Sequence, residues 1–177
     1  MKNKLFLIFL LSFFGSSYSQ EKENIQADKK SFIQFETSIP FTANRDFAKD
    51  EDDADIVFNG LNARIGYGRH MTNWFAISAH SGVEWRIIEK LVAAPIYANL
   101  TISPKVGDET RINLQLGYGY SFALGRGNLS GLYKRLSLGL ETEEGIIFFA
   151  ELSEHGYTLN GIDKIGSLSI GIALRSY

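Results

Sequence analysis

Residues 111–124, RINLQLGYGYSFAL, alternate without a break between two kinds of side chain. Ile112, Leu114, Leu116, Tyr118, Tyr120, Phe122 and Leu124 fall on one side of an extended chain. Arg111, Asn113, Gln115, Gly117, Gly119, Ser121 and Ala123 fall on the other. A period of two is the pattern of a β-strand, whose side chains point alternately to opposite faces. An ordinary strand runs about 5–6 residues. This one is long enough for a tilted strand crossing a bilayer, which needs about 9–11. One face is apolar and aromatic and the other is polar but small, so a bilayer is the first environment to consider.

The same reading along the chain predicts eight strands, at approximately 31–41, 57–69, 74–86, 90–102, 110–125, 131–142, 145–154 and 164–177. Eight is even, as single-chain bacterial outer-membrane barrels require, and it is the smallest size known for them. The connections alternate in length. Residues 42–56, 85–90, 125–131 and 155–163 make loops on one side; 70–73, 104–109 and 142–145 make turns on the other, with both termini. The expected fold is an all-β, eight-stranded antiparallel up-and-down barrel over residues 31–177.

Alternation does not say which face looks inward. A lipocalin-like soluble barrel alternates too, with its apolar face inside. The polar face decides: it carries Gly66, Gly68, Gly82, Gly117, Gly119, Gly139 and Gly171, with Ser and Ala, whereas most Lys lie in the lead-in or in turns. Small residues suit the filled interior of a narrow barrel. In this register Glu36, Glu84, Glu141 and Glu151 point inward, as do Arg64, Arg111, Arg135 and Arg175. The signs balance, and enclosed charges must pair because an unpaired buried ion costs several kcal/mol. A lumen network of these eight side chains is expected, supplemented by Gln34, Asn62, Asn113 and Gln115. Trp74, Trp85, Tyr67 and Tyr177 are the expected membrane-interface aromatics, since Trp and Tyr favour that boundary. Lys134 breaks the outward pattern near a loop, where its stem lets it snorkel.

Composition then sets the compartment. MKNKLFLIFLLSFFGSSYSQ has a basic start at Lys2 and Lys4, an apolar stretch over 5–14 and the small residues Ser17 and Ser19. This reads as a cleaved signal peptide over 1–19, followed by a flexible polar lead-in at 20–30. The chain has no Cys, so neither a lipoprotein leader nor a disulfide framework is expected. No run of about 20 apolar residues follows the leader. The formal charge is -2 with no basic stripe, which excludes a nucleic-acid-binding reading.

NARIGYGR, RINLQLGYGYSFALG, KRLSLGLE and the last strand SLSIGIALRSY, together with the leader, resemble the small outer-membrane β-barrel proteins of Gram-negative bacteria, the OmpA/OmpX type. The resemblance covers the whole mature chain. It implies an outer-membrane location, a monomer, contact with outer-membrane lipid and lipopolysaccharide, and delivery by the barrel-assembly machinery, which reads an aromatic chain end. Tyr177 supplies that aromatic, but Leu168, Ile170, Ile172 and Leu174 are in phase with position 176. Either a bulge precedes the end or the signal is weak.

Candidate chemistry is sparse. Ser78 and His80 share a face with Glu84, and such a set can hydrolyse acyl esters; a hydrogen-bonded lumen histidine is the plainer reading. The run 50–55, DEDDAD, lacks the ordered Ca²⁺-loop pattern and reads as a solvated loop. His70 and His155 read as lone loop histidines without a partner at metal spacing. The Gly-rich 125–128 reads as a turn rather than a phosphate cradle, because no helix follows it. No metal, cofactor or catalytic residue is therefore expected. The leading function is a structural, adhesive or envelope-interaction role through external loops. A narrow pore, a lipid A acyl hydrolase and a soluble periplasmic barrel binding a lipophile are the alternatives.

Overall fold

The computed structural model describes residues 31–43, 56–124, 129–157 and 165–177. The leader, the lead-in, the acidic run 50–55 and the turn 125–128 lie outside the described residues. The strands are β1 (Ser31–Ala43), β2 (Ile56–Phe58), β3 (Gly60–His70), β4 (Phe75–Arg86), β5 (Leu91–Ile102), β6 (Thr110–Leu124), β7 (Ser130–Thr142), β8 (Ile146–Gly156) and β9 (Ile165–Ser176). Every pairing is antiparallel: β1 pairs with β2 and β3, each strand from β3 on pairs with the next, and β1 also pairs with β9, which closes the sheet on itself. Eight strands form the barrel; β2 only extends the first hairpin, pairing with the far end of β1. None of the described residues is helical.

The alternation explains the closure. In β7 every second residue from Gly131 to Glu141 is buried, and every residue between them is exposed. Apolar side chains from Ile33 and Phe35 on β1 to Ile170 and Leu174 on β9 face away from the lumen. A closed barrel leaves no edge strand to blunt. The strand predicted at 57–69 is split at Asn59. There Asn59 N–H donates to Pro40 O at 2.8 Å, and its side chain receives the Ile88 N–H at 2.9 Å. Gly60 follows with φ +125, and a Cβ there would lie 1.8 Å from Trp85 O, so only glycine fits this kink.

Candidate functional site

Among the described residues the interior is occupied by a polar network. Near its middle Arg64 (β3) spans two carboxylates. Its Nη2 lies 2.6 Å from Glu84 Oε1 (β4) and 2.6 Å from Glu151 Oε1 (β8), while Nη1 donates to Glu151 Oε2 at 2.9 Å. Arg135 (β7) continues the chain, with Nε on Glu151 at 2.5 Å, Nη2 on Glu36 (β1) at 2.8 Å and Nη1 on the Gln115 carbonyl at 2.9 Å. Toward the chain termini, Gln34 donates to Glu36 at 2.7 Å and accepts from Arg175 at 2.8 Å. Arg175 Nη1 then reaches Glu141 at 2.8 Å, and Asn113 donates to Glu141 at 2.7 Å. These groups are buried, and multiple partners per charge are what a low-dielectric interior demands.

One member of the expected set is elsewhere. Arg111 has the inward phase but sits at the rim, half-buried. Its Nη1 donates to the backbone carbonyls of Asn73 at 2.7 Å and Ser103 at 3.4 Å. Arg86, at the end of the predicted strand 74–86 and not counted among the lumen charges, ends β4 and is buried, with Nη2 2.9 Å from Glu84 Oε2. The lumen therefore holds Arg64, Arg86, Arg135 and Arg175 against four glutamates, and the balance of sign is kept by a different arginine. His155 is likewise no loop residue: it lies on β8, fully buried, with Nε2 2.9 Å from Glu84 Oε2.

Ser78 and His80 do meet: Ser78 Oγ is 2.8 Å from His80 Nε2. The carboxylate beside the other ring nitrogen is Glu36, at 3.2 Å, and not Glu84. His80 also begins a run of rings that the sequence reading did not single out. His80 stacks on Tyr97 at 5.2 Å, Tyr97 meets Tyr133 at 5.1 Å, Tyr133 meets His155 at 5.0 Å, and His155 meets Tyr157 at 5.3 Å. Tyr133 Oη donates to Glu84 at 2.9 Å, which ties the rings to the ion network. The phase of Tyr97 and Tyr133 in their strands was the available signal.

Both ends of the lumen are covered. At the loop end Leu91, Ala123, Tyr157 and Ile165 form an apolar cluster with Leu129 packed against it. At the terminus end the rings of Phe32, His70 and Tyr177 lie within 5.0–6.5 Å of one another, and the Arg175 guanidinium lies 4.7 Å over Phe32. β9 pairs with β1 and β8 without a bulge, so Tyr177 shares the inward phase of Arg175 and folds across the mouth instead of facing outward. Burial and the nearby Glu141 carboxylate push its phenol above the ordinary range, so it stays an O–H donor. Trp74 sits at the turn end of the wall, Trp85 at the loop end and Tyr67 three residues before the end of β3, all exposed.

Three solved structures superpose on this closed, filled barrel. Neisserial surface protein A matches with a TM-score of 0.57 at 10% identity, over 82% of this chain and 95% of its own. This chain has the fold of the small eight-stranded outer-membrane β-barrels. The outer membrane enzyme PagL matches with a TM-score of 0.53 at 13% identity, covering 80% and 98% of the two chains. The N-terminal β-barrel domain of Pseudomonas aeruginosa OprF matches with 0.52 at 11%, covering 82% and 97%. No protein-family model matches the sequence, and no curated protein is similar to it in sequence. The neighbours support an outer-membrane location of the Gram-negative type. They include an enzyme and proteins not named as enzymes, so the fold leaves catalysis open.

Proposed function

We propose that the chain is an outer-membrane barrel with a structural or adhesive role, a monomer that anchors loops at the cell surface. The observation that carries this reading is the filled lumen: a sign-balanced network from Arg86 to Arg175, covered by apolar side chains at one end and by aromatic rings at the other. Such an interior favours an anchor over a conduit. The two longest connections, 44–55 and 157–164, fall at the loop end, which fits termini on the periplasmic side and loops outside, although 103–109 at the terminus end is longer than 87–90. Lipopolysaccharide and other envelope or host surfaces are the partners this orientation offers to the loops. The barrel-assembly machinery would receive a last strand whose outward residues end at Ser176, beside an inward Tyr177.

The contact between Ser78, His80 and Glu36 favours one other reading, a lipid acyl hydrolase. Its burial argues against it, since Ser78 and His80 are only 4% and 2% exposed and face the lumen, away from any acyl chain in the bilayer. Membrane fractionation with a heat-modifiability gel tests the location, and recovery of the protein without detergent would overturn it. Planar-bilayer recording tests the anchor, for which silence is expected and stepwise conductance would restore the pore.

A further inference from the structure

Lys134 is a cation on the otherwise apolar outer face of β7, and it does not stand alone. In register around the barrel it follows Tyr118 on β6 and precedes Glu154 on β8 and Gly166 on β9. Tyr118 and Lys134 are exposed, and Lys134 Nζ lies 3.5 Å from Glu154 Oε1. One step toward the terminus end runs a purely apolar row in the same register: Leu136, Leu152, Leu168 and then Phe41. Gly166 places no side chain at the end of the polar row, and a Cβ there would meet only Ser153 O at 3.9 Å. The result is an open recess of about 580 Å³ on the outer wall, apolar below and rimmed by Lys134 and Glu154 above.

We propose that this recess binds an acylated, phosphorylated sugar lipid of the lipid A class. The inference rests on the orientation proposed above, which puts this half of the wall in the external leaflet. The two rows divide the work. An acyl chain lies along Leu136, Leu152 and Leu168, as any bilayer hydrocarbon would. The head is selected by the row above it: the Lys134 ammonium and the Tyr118 hydroxyl donate to a phosphate, and the Glu154 carboxylate accepts from a sugar hydroxyl or an amide N–H. A simple anionic lipid would bring its phosphate to Lys134 but offer fewer donors to Glu154. A lone cation would be a snorkelling residue only; a cation and a carboxylate above a notch left by glycine discriminate between heads.

The test uses the full chain folded in detergent and offered lipid A, phosphatidylglycerol and phosphatidylethanolamine at equal concentration, with bound lipid read by native mass spectrometry. Lipid A is expected to be retained over both others. Lys134→Gln should lower its retention about fivefold, the weight of one interfacial lysine. Gly166→Leu, which fills the notch from a position with room for a side chain, should lower it comparably. Both residues face outward, so the heat-modifiability of the variants should match wild type. Equal retention of the three lipids, a preference for either phospholipid, or lipid A retention untouched by both substitutions overturns the proposal. Failure of the outer-membrane reading would appear separately, in the fractionation.

Discussion

Replacing Arg64 by methionine should unsettle the whole lumen. The side chain makes four hydrogen bonds to two carboxylates, two to Glu84 and two to Glu151. Methionine keeps much of the volume and removes all of them, and the lumen goes from four cations against four anions to three against four. Removing one member of a buried pair costs about 3–5 kcal/mol, mostly through the charge left behind. Here the orphaned groups are not abandoned: Glu84 keeps Arg86, His155 and Tyr133, and Glu151 keeps Arg135. The low end, about 3 kcal/mol, is therefore expected. With a urea slope of about 1–3 kcal/mol/M, the unfolding midpoint should fall by about 1–3 M. Fluorescence of Trp74 and Trp85 in lipid vesicles reports the transition. Adding Glu151→Gln restores the sign balance and should recover part of the loss, within the coupling of about 0.5–3 kcal/mol seen for residues in one network. An Arg64→Met midpoint equal to wild type, or a double variant less stable than the sum of the single ones, would refute the reasoning.

Other outcomes follow from single residues. Gly66→Ala places a Cβ 2.3 Å from the His80 ring, so the imidazole must leave Ser78; a loss of about 1–3 kcal/mol is expected, and an unchanged midpoint would contradict the close contact. Ser78→Ala should leave the acyl pattern of lipid A unchanged in cells and cost at most about 1.5 kcal/mol, one net hydrogen bond; an altered acyl pattern would revive the hydrolase. Trp74→Phe and Trp85→Phe variants each leave one tryptophan, near one end of the wall, and lipids brominated close to the head group should quench both more than lipids brominated at the chain end. Strongest quenching at mid-chain would move the girdles.

The strand alternation was legible because each strand has one face on lipid and the other on the lumen, so a single period organises almost the whole chain. What alternation cannot carry is height along the barrel axis. Arg111 has the correct phase yet stands at the rim, because an inward direction at a strand end leads to the mouth. His155 shows the converse error: the strand predicted at 145–154 stops one residue short of it, which turned a lumen group into a loop group, whereas Arg86 ends both the predicted strand 74–86 and β4 and was missed only as a lumen charge. His80, Tyr97 and Tyr133 meet across three different strands, and which rings touch depends on strand stagger, which the turns and not the pattern determine.

The long sequence reach of the lumen contacts bears on how the barrel closes. Arg135 and Glu36 are separated by 99 residues, and Gln34 and Arg175 by 141. Arg135 already has Glu151 and Gln115, and Arg175 already has Glu141, but their bonds to Glu36 and Gln34 form only when β1 meets the later strands, so the seam closes against the desolvation of partly paired charges. A slip of one residue at that seam would turn Phe35 into the lumen and Glu36 into lipid. A slip of two would keep the phase but carry Glu36 about 7 Å from Arg135, far beyond a hydrogen bond. The buried charges thus act as a proofreader: they make misaligned closures reversible and leave the native stagger as the one in which the cylinder can seal.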